Sequence, residues 1–135
     1  MMTETTLDQH MAVMGRVIAK FVSSGLMPLD IDSRGVEGFL GTPEDKRVFE
    51  AVLIWMLDED IIRAKDNAIF MDGTMLVKAA QLTAKGLAII KQPPKDGETI
   101  EKRIRSAGDD NSLFSKIGEL LGSAAGGFAK SVGSG

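Results

Sequence analysis

Residues 42–92 read TPEDKRVFEAVLIWMLDEDIIRAKDNAIFMDGTMLVKAAQLTAKGLAIIKQ. The stretch opens on a helix signal: Thr42 can cap, Pro43 suits the first helical position, and Glu44 and Asp45 favour the positive end of the helix dipole. Nine of the ten residues 48–57 are apolar, Glu50 being the exception. A helix so apolar is expected to be covered on all sides, with Trp55 as the anchor of its packing. Asp58-Glu59-Asp60 ends it. Ile61-Ile62-Arg63-Ala64-Lys65 then reads as a strand, Asp66-Asn67 as a turn and residues 68–71 as a second extended run. Asp72-Gly73-Thr74 is another turn, and residues 75–82 return as a strand. Thr83 caps a last helix over residues 84–91 carrying Leu87, Ile89 and Ile90, and Pro93-Pro94 closes the unit.

The order of core helix, Asp58-Glu59-Asp60-Ile61-Ile62-Arg63, hairpin and Leu82-Thr83-Ala84-Lys85-Gly86 is similar to winged-helix regulators of the MarR and PadR types. Asp60 stands where those families carry glycine, and aspartate visits the left-handed region more readily than most residues. The resemblance implies an α+β fold, mostly α: a winged-helix domain with a small β-hairpin wing, followed here by a C-terminal amphipathic helix. It also implies DNA binding, with Lys46 and Arg47 at the start of the reading helix and Lys65 and Lys78 on the wing touching phosphate. The residues themselves oppose that use. Groove readers need Arg, Lys, Asn or Gln at base edges and cations at phosphates, whereas Glu44, Asp45 and Glu50 share the helix start and Asp66 and Asp72 offset the wing lysines.

Upstream, Leu7, Met11, Met14, Ile18, Phe21 and Val22 fall on one helical stripe, with Thr5 or Thr6 able to cap its start and Gly25 placed to end it. Leu26-Met27-Pro28-Leu29 reads as an extended connector lying against the core, and Asp32-Ser33 leads into a short helix over residues 34–40. Downstream the composition changes. Residues 93–111 are charged and small, with Ile100 and Ile104 as the apolar exceptions, and read as a linker. Residues 112–135 are rich in glycine but periodic. Leu113, Phe114, Ile117, Leu120, Leu121 and Phe128 share one side of a helical wheel, opposite Lys116, Glu119, Ser123 and Lys130. Gly118, Gly122 and Gly126 recur every four residues, beside and opposite that stripe. The chain thus divides into a winged-helix-like domain (1–92), a charged linker (93–111) and an amphipathic tail (112–135).

Each tail glycine costs an isolated helix about 1 kcal/mol relative to alanine, so the tail is expected to become helical only where something covers its stripe. That cover is the chain's own domain, a partner or second copy, or a membrane interface. Two lysines and one glutamate make a poor face for lipid.

Composition narrows the chemistry. The 135 residues include no cysteine, which rules out disulfides, thiolate zinc sites and a cysteine nucleophile. Residues 1–92 carry 10 Lys and Arg against 13 Asp and Glu, while residues 93–135 carry 6 of each, so the domain is the acidic part. Asp30-Ile31-Asp32-Ser33-Arg34-Gly35 resembles a calcium loop at its first, third and sixth positions but fails at the fifth, where Arg34 stands, and at the twelfth, where Gly41 replaces a carboxylate. His10, the single histidine, sits at the edge of the first helix's stripe with nothing to build a catalytic or metal site around it. No secretory signal and no spanning run is present, which makes the cytoplasm the expected compartment.

The expectation is a small non-enzymatic protein, without metal or cofactor, that acts through a protein partner or as a homo-oligomer, of the regulator, immunity or antitoxin type. Its contact residues would be Leu113, Phe114, Ile117, Leu120, Leu121 and Phe128. A DNA-binding transcriptional regulator is the alternative, and a membrane-interacting tail on a soluble domain ranks third.

Overall fold

The stripe Met14, Ile18, Phe21, with Val13 and Val17 beside it, forms the buried side of helix α1 (Thr6–Ser24). In the computed structural model, residues 6–93 and 97–134 are described, residues 127–134 by backbone alone. Thr5 and the side chain of Phe128 lie outside that description. The chain continues through strand β1 (Leu29–Asp32), a 3-10 turn (Ser33–Gly35), helix α2 (Val36–Leu40) and helix α3 (Lys46–Asp58). Strands β2 (Ile62–Arg63), β3 (Asp66–Ile69) and β4 (Met75–Leu82) follow, then helices α4 (Ala84–Lys91), α5 (Ile100–Ala107) and α6 (Asn111–Ser134). The fold is α+β, mostly helical, with one small antiparallel sheet.

β4 organises the sheet. It pairs antiparallel with β1 on one side and with β2 and β3 on the other. Asp66-Asn67, expected as a turn, is instead the start of β3, registered against Lys78 and Val77. The local turn signal is overridden because the partner strand runs long enough to hold these residues in the ladder, with Ala79 at φ 52° absorbing the irregularity and its N–H bonded to the Asp30 carboxylate. Asp72-Gly73-Thr74 is a turn as expected, Asp72 accepting from the Thr74 N–H at 2.9 Å.

α3 begins three residues later than Pro43. Asp45 is the cap, accepting from the Arg47 and Val48 N–H groups, while the Thr42 hydroxyl donates to Glu44. A carboxylate serving two donors competes well against a hydroxyl further upstream. Nor is α3 covered all round. Val48, Phe49, Val52, Leu53 and Met56 form the buried stripe, Trp55 is half-buried at its side, and Ala51 and Ile54 face water. Phe49, Leu53 and Met56 therefore do the anchoring expected of Trp55. Leu26 and Met27, expected against the core, are exposed. β1 takes over that role through Ile31.

The step from α3 into the sheet follows from backbone geometry. Asp60 adopts φ 61°, and the Thr83 N–H donates to the Ile61 carbonyl at 3.0 Å. Thr83 also caps α4 by accepting from the Gly86 N–H at 2.9 Å. A Cβ at Gly86 would overlap the Ile61 carbonyl, which explains a glycine two residues after a helix start.

The segment expected as a linker contains α5, capped by Thr99, with Ile100 and Ala107 buried and Ile104 packed at their side. Apolar residues at four-residue spacing sufficed once a core lay beneath them. α6 runs antiparallel along α1. Gly15 lies against the backbone of Phe114 and Gly118 against the backbone of Met11, each so close that a Cβ would overlap the facing carbonyl. Gly118 thus belongs to the contact, not to the opposite side of the helix. Gly122 and Gly126 meet nothing.

Candidate interaction surface

The expected tail contacts divide sharply. Phe114, Ile117 and Leu121 are buried in the same core as α1 and α3, Leu120 is half-buried against it, and Leu113 is exposed. Arg16 fixes the start of α6. Its guanidinium lies 4.5 Å from the centre of the Phe114 ring, 3.7 Å from Asp109, 3.6 Å from Glu44 and 3.4 Å from the Asn111 side-chain oxygen. A buried cation needs such neighbours to offset lost hydration. Phe114, Ile117 and Leu121 of the stripe that seemed to await a partner are thus covered by their own chain.

The cations expected at phosphate are differently placed. Lys46 pairs with Glu50 at 2.9 Å. Glu50 in turn accepts from Ser33, whose fully buried hydroxyl takes the Met75 N–H at 2.8 Å. That chain of bonds ties α3 to the 3-10 turn and to β4, so Lys46 belongs to an internal network. Arg34 beside it is engaged by Asp32 at 2.7 Å. The hydrogen bonds from Arg34 hold the Asp32 carboxyl down at about 2, and Asp32 raises Arg34 in return. Asp72 is also lowered, by its bonds from Thr74. Asp32 and Asp72 therefore keep their charge to low pH, and a phosphate approaching the start of α3 meets Glu50 and Asp32 already paired with Lys46 and Arg34. Arg47, Lys65 and Lys78 are exposed, Lys78 standing directly across from Asp66.

Exposed apolar surface lies elsewhere. Ile69, Phe70 and Met71, at the end of the β3–β4 hairpin, are 62%, 49% and 107% exposed. All four residues of β3 are exposed. On α3, Arg47, Ala51, Ile54 and Asp58 form the outward row, which offers one cation, one acid and two apolar side chains. Nothing in the composition marked the hairpin; the available signal was three consecutive apolar residues next to the turn Asp72-Gly73-Thr74.

Other chemistry finds little footing among the described residues. His10 bonds to the Thr6 carbonyl through Nδ1 at 2.7 Å. Among the described residues no group of three or more His, Asp or Glu is placed to hold a metal ion. The calcium-like loop is used internally, Asp30 bonding Ala79 and Asp32 bonding Arg34. Glu98, Arg103, Ser106, Leu113, Lys116 and Ile117 line a recess of about 100 Å³ beside α5 and α6, well below the size of ordinary ligand sites. No helix among the described residues is long and apolar enough to cross a membrane. No family model, curated protein or solved structure matches this chain.

Proposed function

We propose that this chain is a non-enzymatic protein-binding module of winged-helix type, whose contact surface is the tip and outer edge of the β3–β4 hairpin. The element order supports the winged-helix reading: three helices with a short strand after the first, then a hairpin whose long return strand pairs with that early strand. One observation carries the protein-binding reading. The hairpin presents Ile69, Phe70 and Met71 to water together, and contiguous exposed apolar side chains mark interaction sites. DNA contact is the weaker use of the same fold: of its four candidate cations Lys46 is engaged by Glu50, and the exposed Arg47, Lys65 and Lys78 share their surroundings with Asp45, Asp66 and Asp72, whereas phosphate affinity comes from available cations. The tail is assigned a structural role, Phe114, Ile117 and Leu121 being buried in the core shared with α1.

The test replaces Ile69, Phe70 and Met71 together with serine. Thermal stability is expected to hold while association, measured by solution mass and by capture of purified candidate partners, is lost. A gel-shift series across salt is the counter-test. Tight, salt-sensitive binding to DNA that disappears on substituting Arg47, Lys65 and Lys78 would overturn the proposal.

A further inference from the structure

We infer that Met71 is a reversible oxidation site, a thioether that takes an oxygen atom from a hydroperoxide and thereby switches off the hairpin contact. The inference rests on the protein-binding reading above and adds to it a means of regulation.

The chain has eight methionines and no cysteine. No thiol therefore competes for oxidant, and thioethers are the side chains left to undergo reversible oxygen transfer. Among the described residues they fall into distinct settings. Met14, Met56 and Met75 are 4%, 0% and 2% exposed and belong to the core. Met11 is partly buried against it. Met27 is 70% exposed in the connector after α1, and Met71 is 107% exposed, its whole side chain in water. A peroxide reaches the Met71 sulfur without any opening of the fold, whereas the core sulfurs need one.

Position decides what oxidation does there. Met71 lies in the loop closed by the Phe70 N–H on the Thr74 carbonyl at 2.8 Å and the Gly73 N–H on the Phe70 carbonyl at 2.9 Å. Asp72 accepts from the Thr74 N–H at 2.9 Å. None of these bonds uses Met71, so a change at its side chain leaves the turn intact. It does end the run Ile69-Phe70-Met71, the exposed apolar surface on which the contact depends. In the reaction a sulfur lone pair attacks the outer oxygen of the peroxide, and the S–O bond forms as the O–O bond breaks. The departing oxygen takes the proton and leaves as water or an alcohol, so the sulfur is oxidised by two electrons and the peroxide is reduced. The product is a polar sulfoxide. It carries an acceptor into an apolar contact, where burial without a donor opposes association. A sulfoxide reductase with a dithiol returns the thioether, releasing water and a disulfide.

Hydrogen peroxide is the probe. Peptide mass mapping of the folded wild-type protein over time is expected to show Met71 oxidised at least about tenfold faster than Met14, Met56 or Met75. The circular dichroism spectrum and Tm are expected to stay. Retention on a phenyl matrix reads the polarity of the tip without a partner in hand. Oxidised wild type is expected to elute earlier, Met27→Leu to keep most of that shift, Met71→Leu to lose most of it, and methionine sulfoxide reductase with dithiothreitol to restore it. In the association assays applied to the serine variant, oxidised wild type should behave like that variant and oxidised Met71→Leu like untreated protein. Oxidation of Met71 no faster than that of the core methionines, a retention shift that Met71→Leu leaves whole, or unchanged association after oxidation would overturn the inference. The two readings fail separately. If Met71 fails these tests while the serine variant still loses association, the switch is wrong and the protein-binding reading stands. If the untreated serine variant keeps its association, that reading falls and the switch falls with it.

Discussion

The C-terminal helix and the β3–β4 hairpin both carry apolar side chains on one accessible side of an element, yet the chain treats them in opposite ways. α6 brings Phe114, Ile117 and Leu121 to α1 with a glycine on each helix admitting the other's backbone. The hairpin carries Ile69, Phe70 and Met71 outward, exposed among the described residues. Apolarity alone does not separate a core element from a contact element. The difference is complementarity: α6 meets a helix with a matching glycine and a buried cation over its first aromatic ring, whereas β3 pairs with β4 alone among the described strands and all four of its residues are exposed.

The largest expected effect breaks the docked side. Leu121 is fully buried, so Leu121→Ala is expected to destabilise by about 2–5 kcal/mol through lost burial and a residual cavity, read by urea unfolding. Ile69→Ala at the hairpin should fall within about 0.5 kcal/mol of wild type, as exposed substitutions do. Comparable losses at the two positions would erase the contrast.

Glycines of α6 sharpen it further. A Cβ at Gly118 overlaps the Met11 carbonyl, while one at Gly122 meets nothing. Gly118→Ala is expected to cost about 1–3 kcal/mol as the helices are pushed apart, and Gly122→Ala to add up to about 1 kcal/mol through helix propensity. Thermal unfolding of the two variants should shift in opposite directions; a common direction would mean that α6 is not seated against α1 as described.

The smallest effect concerns pH. Asp32 is held at about 2, below its ordinary 3.8, first by its side-chain hydrogen bond from Arg34. A carboxyl depressed in the folded state adds stability that is present above its unfolded value and lost as pH falls through its folded one. Between about pH 4 and pH 2 the wild-type protein should therefore lose slightly more stability than Asp32→Asn, the two curves running parallel at neutral pH. The pair is exposed, so the difference should be small and salt-sensitive. Identical acid profiles would remove Asp32 from the balance.

Much of this was legible in the sequence where local signals and long-range pairing agree. β4 and α4 occupy the residues that alternation and the Thr83 cap specify. Leu82-Thr83-Ala84-Lys85-Gly86 earns its glycine from the Ile61 carbonyl pressed against it. Where signals compete, reading fails. Thr42-Pro43 and Asp45 both offer a helix start, and only the folded chain shows that Asp45 serves two donors. Asp66-Asn67 has turn chemistry but lies opposite a strand that keeps it extended. β1 is four residues long and α5 has few apolar positions, so neither announces itself without the core that holds it. The tail illustrates a different limit. Its stripe could be read in full, but a stripe does not say what covers it, and the decisive feature was Gly15 on a helix about a hundred residues away, across from Phe114. The hairpin tip escaped notice because exposure depends on how far a turn projects, which periodicity does not encode.

One measurement addresses both halves of the contrast: amide hydrogen exchange followed as protein concentration is raised. α6 amides from Phe114 to Leu121 should be slow at every concentration, as befits a helix seated in the core. Asn67 and Ile69 amides should exchange freely in dilute solution, and any slowing as concentration rises should appear there. Slow exchange that appears in α6 only at high concentration, with the hairpin amides unchanged, would make the tail the contact element and contradict this account.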